Sequence, residues 1–138
     1  MKKQLLIGIA VLLVVAYAMP QKKNSLEFML ATIDKGYVSP DDILIVRFRN
    51  LLEQLDRTFK ENKTQISDMT VGTQKILKEE VGIKESLLNI MVGMNSIFLG
   101  RKTIQSYSEF CASYLALRQS GQSHRDAIAG LKAMMNIG

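Results

Sequence analysis

Between Ile45 and Ile97 apolar residues return at alternating steps of three and four, and this restricts what the chain can fold into more than any other feature. The register runs Ile45, Phe48, Leu52, Leu55, Phe59, Asn62, Ile66, Met69, Thr73, Ile76, Glu80, Ile83, Leu87, Ile90, Met94 and Ile97, broken only by Asn62, Thr73 and Glu80. Such a repeat draws a narrow apolar stripe along a helix, the pattern of helices packed lengthwise against one another. No proline follows Pro40, so long helices are permitted. The expected fold class is all-α: a small bundle of five to six helices with long amphipathic, heptad-like central helices, preceded by an N-terminal apolar targeting segment. The chain divides accordingly into residues 1–18, a signal peptide or short membrane anchor; 19–38, a linker and short helix; and 39–138, the helical domain.

The leader reads in order. Lys2 and Lys3 precede an unbroken apolar run from Leu5 to Met19, and Ala16-Tyr17-Ala18 fits the small-x-small rule for signal-peptidase cleavage. The fifteen apolar residues fall short of the ~17 to 25 that a spanning helix needs. Cleavage before Met19 and export to the periplasm or exterior is the first expectation. An inner-membrane anchor, touching lipid only through residues 5–19, is the alternative.

Helix signals follow. Asn24 or Ser25 can cap a helix ending at Gly36. Ser39-Pro40-Asp41-Asp42 reads as a helix start, Ser39 as cap and Pro40 as first helical residue, for a helix over 40–61. Glu61-Asn62-Lys63-Thr64 is the polar break at which the chain turns back rather than continuing as one rod. A broken pair of helices is expected over 65–99, split near Gly82, with its second member running from Lys84 to a stop at Gly100. A hairpin of 104–119 with 124–136 completes the chain, and Cys111 falls on a buried face with Tyr107, Phe110 and Tyr114. His124, in the first turn of the last helix, is expected to be exposed.

Charge and chemistry exclude more than they indicate. The formal charge of +5 falls to +3 once Lys2 and Lys3 are set aside, with 16 basic against 13 acidic side chains. One cysteine and one histidine cannot fill a tetrahedral metal shell, and no phosphate loop, nucleophile elbow or dinucleotide fingerprint is present. No cofactor is expected and no enzyme activity. The expected function is an exported helical protein-interaction module, its partner a second protein or a second copy in a weak dimer. The candidate surface is the stripe residues Ile76, Ile83, Leu87, Ile90, Met91, Met94 and Ile97, with Glu80→Leu expected to tighten the dimer. The alternative is a membrane-tethered nucleic-acid-binding module. Its 104–136 hairpin is similar to a helix-turn-helix, with Arg118, Arg125 and Lys132 as contacts, although the leader argues against meeting cytoplasmic DNA.

Overall fold

The computed structural model describes residues 25–136. Among them are six α-helices and no strand: α1 (Leu26–Lys35), α2 (Ile43–Thr58), α3 (Lys63–Ile76), α4 (Leu87–Phe98), α5 (Tyr107–Gln119) and α6 (His124–Asn136), with a π-helical turn, Leu77–Val81, continuing α3. The leader lies outside the described residues, and no helix among those described is long and apolar enough to cross a membrane.

Local chemistry sets most helix ends. Ser25 accepts from Phe28 N at 3.2 Å and starts α1, and Gly36 closes it at φ 92°. The expected turn forms, but at residues 59–62 rather than 61–64, with Asn62 and Gln65 in a reciprocal capping box: Gln65 N donates to Asn62 Oδ1 at 2.9 Å and Asn62 N to Gln65 Oε1 at 3.0 Å. The split near Gly82 also forms, because Gly82 adopts the left-handed conformation (φ 77°) that ends the π-helical turn.

Several boundaries differ from the sequence expectation, among them the end of α2, at Thr58 rather than 61, and the start of α5, at Tyr107 rather than 104. Asp42, not Ser39, caps α2: its carboxylate accepts from Leu44 N at 2.9 Å, while Ser39 Oγ donates to Asp41 and Asp42 N bonds Ser39 O at 3.0 Å. The Ser39-Pro40-Asp41-Asp42 stretch is therefore a turn outside the helix, its last residue held by Lys35 at 2.8 Å. Helix α4 begins at Leu87 rather than Lys84, because residues 82–86 are non-helical and Ser86 provides the cap. Its C-cap is Leu99, itself left-handed at φ 51°, one residue before Gly100.

The stripe is the core. Ile45, Phe48, Leu52, Leu55, Phe59, Ile66, Leu87, Ile90, Met94 and Ile97 are all buried. Helix α4 sits centrally, packed on α1, α2, α3 and α6, as its apolar composition requires. Phe59, Phe98, Tyr107 and Phe110 close one end of the core with edge-to-face contacts at 5.1 to 5.8 Å between ring centroids. Cys111 is buried as expected, and burial pushes its thiol up to about 12.

Two helix starts are capped from far along the chain. Asp34, at the end of α1, accepts from Leu87 N at 2.7 Å and Leu88 N at 3.1 Å, at the start of α4. Glu61, in the α2–α3 turn, accepts from Tyr107 N, Ser108 N and Ser106 Oγ at 2.8 to 2.9 Å, at the start of α5. Burial alone would raise the Glu61 pKa, but these donors hold it below the usual carboxylate range. Removing a buried acceptor costs about 1 to 3 kcal/mol. Glu61→Ala is accordingly expected to lower unfolding stability by about 2 to 3 kcal/mol in chemical denaturation, and Glu61→Gln, which keeps one acceptor, by less.

Candidate functional site

The stripe offered as an interaction surface is spent inside the chain. Leu87, Ile90, Met91 and Met94 are fully buried, Ile97 is buried, Ile83 is half-buried against the same core, and Ile76 is half-buried. These residues have little surface left for a second copy. Glu80 stands exposed in the π-helical turn, so it interrupts no intermolecular seam. Much of the cover for this stripe comes from within the chain, where the Leu87–Phe98 helix packs on α1, α2, α3 and α6.

The nucleic-acid candidates separate as well. Arg125 and Lys132 are exposed on α6, whereas Arg118 is buried on α5 and committed to Glu85, Nη1 to Oε1 at 2.6 Å. Its burial was readable in the sequence, because Arg118 lies four residues after Tyr114 on the face that carries Tyr107 and Cys111. The expectation of an exposed His124 is also corrected, since its ring packs edge-on to Tyr114 at 5.6 Å and is half-buried.

Glu85, Tyr114, Arg118 and His124 form one buried polar network. Arg118 Nη1 donates to both Glu85 and Tyr114 Oη (2.7 Å), which leaves the Tyr114 hydroxyl proton for His124 Nδ1 at 2.7 Å. Glu85 also accepts from Asn89 Nδ2 at 3.0 Å, and its backbone carbonyl from Gln74 Nε2 at 2.9 Å. The network ties the non-helical 82–86 segment to α3, α4, α5 and α6. Nothing in it resembles an activated nucleophile, and burial raises Tyr114 to about 12, so the phenol stays protonated. Among the described residues no group of three His, Cys, Asp or Glu side chains could hold a metal.

The most exposed apolar side chains lie near the two ends of α2, while Val92 on α4 and Met134 on α6 are exposed elsewhere. At the start of α2, Tyr37 (87% exposed) and Ile43 (70%) stand out from the α1–α2 turn, with Ile33 and Val46 partly exposed beside them. This turn is held rigid: Val38 is buried next to Tyr37, and Lys35 pairs with Asp42 across it. At the other end, Leu99 (78%) and Ile104 (92%) project from the α4–α5 loop. Leu99 has the left-handed backbone that costs a non-glycine residue about 1 to 3 kcal/mol. The loop is pinned by Thr103 N to Thr58 O at 2.9 Å and by Glu61 to Ser106 Oγ.

The network makes stability depend on pH with a definite sign. Burial lowers the His124 pKa, against the opposing pull of Glu85. The unfolded chain then takes up the proton first, so stability drains as pH falls through about 6.5 and continues to drain down to the folded value. Burial would raise Glu85, but Arg118 and Asn89 hold it below its ordinary value, so its contribution is lost at still lower pH. His124→Asn is expected to flatten the fall in Tm between about pH 7 and 5.5 while leaving the loss below about pH 4.3. Arg118→Leu leaves the Glu85 carboxylate buried and uncompensated. It should cost about 3 to 5 kcal/mol by chemical denaturation, with partial recovery in the Arg118→Leu/Glu85→Leu double variant.

No curated protein and no solved structure matches this chain. A family model does match, over residues 16–136, a span that takes in all six helices, both distant caps, the buried network and both exposed apolar ends. On that match the chain belongs to the MoxZ family.

Proposed function

We propose that this MoxZ-family chain is an exported, non-enzymatic helical module that holds a protein partner through the α1–α2 turn. The supporting observation is the exposure of Tyr37 and Ile43 on a turn whose backbone is already ordered. An aromatic side chain presented on a preorganised turn contributes buried area with little ordering cost, which is how interface anchors work. Buried groups elsewhere are committed to structure, with Asp34 and Glu61 capping helices and Arg118 paired to Glu85. Export rests on the lysine, apolar run and Ala-x-Ala order of residues 1–18. The nucleic-acid alternative is not carried forward, because its hairpin offers only Arg125 and Lys132 once Arg118 is engaged.

Site-specific photo-crosslinking in producing cells tests this reading. A benzophenone side chain in place of Tyr37 should give a discrete adduct that weakens strongly with Ile43→Asp, whereas the same probe at exposed Gln122 should give none. An adduct of twice the chain's mass would identify the partner as a second copy. Absence of adducts at position 37, or equal adducts at both positions, would refute the assignment.

A further inference from the structure

The opposite end of α2 has a different chemistry. The α2–α3 turn and the α4–α5 loop lie side by side there, joined by Thr103 N to Thr58 O and by Glu61 to Ser106, Tyr107 and Ser108. Residues 57–64 and 99–106 together contribute Arg57, Lys60, Lys63, Arg101 and Lys102 and a single acid, Glu61. That acid is buried and its oxygens accept from three neutral donors at the start of α5, so it forms no ion pair with the five cations, which outnumber it. None of the five cations is in an ion pair among the described residues. Glu53, Asp56, Asp68 and Glu109 are the exposed acids on the flanking turns.

Leu99 and Ile104 stand out from this basic ground, on a loop braced beneath by the Phe59, Phe98, Tyr107 and Phe110 cluster. The N-terminus of α1 lies beside the middle of α2. Helix α1 runs antiparallel to α2, with Lys35 on Asp42 and Glu27 on Arg49, so its N-terminus points toward the C-terminal end of α2. Residue 49 is about 14 Å of helix from Thr58.

We propose that this end docks on an anionic lipid bilayer, with Leu99 and Ile104 entering the headgroup–acyl boundary and Arg57, Lys60, Lys63, Arg101 and Lys102 facing the lipid phosphates. Aliphatic tips set among cations suit a bilayer surface, because the interface accepts both at once. The exposed, left-handed Leu99 is the feature a purely structural loop has least reason to keep. The α1–α2 turn, at the start of α2, is then held away from the membrane by the length of that helix, about 24 Å, and stays open to a protein partner.

The chain contains no tryptophan, so a single introduced one reports its own surroundings. Two full-length variants, Ile104→Trp and Tyr37→Trp, are mixed with vesicles of phosphatidylcholine alone or with phosphatidylglycerol, including brominated acyl chains. The expected result is a blue-shifted, bromine-quenched emission for Ile104→Trp on anionic vesicles only, with Tyr37→Trp unaffected. Adding Arg101→Gln and Lys102→Gln should weaken that partitioning about 25-fold, since each cation near such a surface contributes about five-fold. High salt should release the loop. Three results overturn the proposal: no quenching of Ile104→Trp, as when the leader alone tethers the chain; quenching of both reporters alike, as in nonspecific adsorption; or a concentration-dependent blue shift of Ile104→Trp without lipid, which would place a second copy on this end. Because the α1–α2 turn is read by crosslinking at other residues, failure here and failure of the partner assignment are told apart.

Discussion

The arrangement depends on carboxylates that reach helix N-termini far away in the chain. A helix start leaves several backbone N–H groups without partners, and where it lies against the core, water cannot satisfy them. Asp34 and Glu61 supply acceptors to α4 and α5 across 53 and 46 residues of sequence, measured to Leu87 and Tyr107. Each carboxylate also meets the positive end of the helix dipole, where negative charge is favoured. Neither α4 nor α5 has its first turn completed by neighbours alone, so α1 and the α2–α3 turn must be in place for both to start where they do.

A second long-range tie holds the C-terminal half. The segment between Gly82 and Leu87 has no regular hydrogen-bonding pattern of its own, and Glu85 anchors it through Arg118 and Asn89. Arg118 in turn orders Tyr114, and Tyr114 orders His124 at the start of α6. A charged pair this sheltered is weak evidence for net stability, since desolvation offsets much of its attraction. What it does supply is register, because a shifted α5 or α6 would leave a buried charge without its partner.

With polar groups committed inward, the exposed chemistry is polarised along α2: an aromatic and aliphatic tip at Tyr37 and Ile43, and a basic, aliphatic-tipped end at Leu99 to Ile104. Both tips stand on ordered backbone, one between Gly36 and buried Val38, the other between the left-handed Leu99–Gly100 pair and the aromatic cluster. The two proposed contacts, a protein partner at one tip and a bilayer at the other, sit at opposite ends of this helix.

By itself the sequence determined the helical class, the core and the main turns. The three-four register is a local property, and a buried stripe stays buried whichever helix covers it, so Phe48, Leu52, Ile90 and Met94 were legible as core. The interruptions were legible too, but their meanings differ: Asn62 caps α3, Glu80 faces solvent in the π-helical turn, and Thr73 is buried with its hydroxyl donating to Met69 O at 2.7 Å. Only the tertiary structure decided which surface covers the stripe, because periodicity marks a face as apolar without saying whether its partner is in the same chain. Tertiary contacts also determine the roles of Asp34, Glu61 and Glu85, which reach the starts of α4 and α5 and Arg118 across 33 to 54 residues. The two exposed tips were hidden for the same reason: Leu99 and Ile104 are ordinary aliphatic residues in sequence, and the folded backbone alone turns them outward.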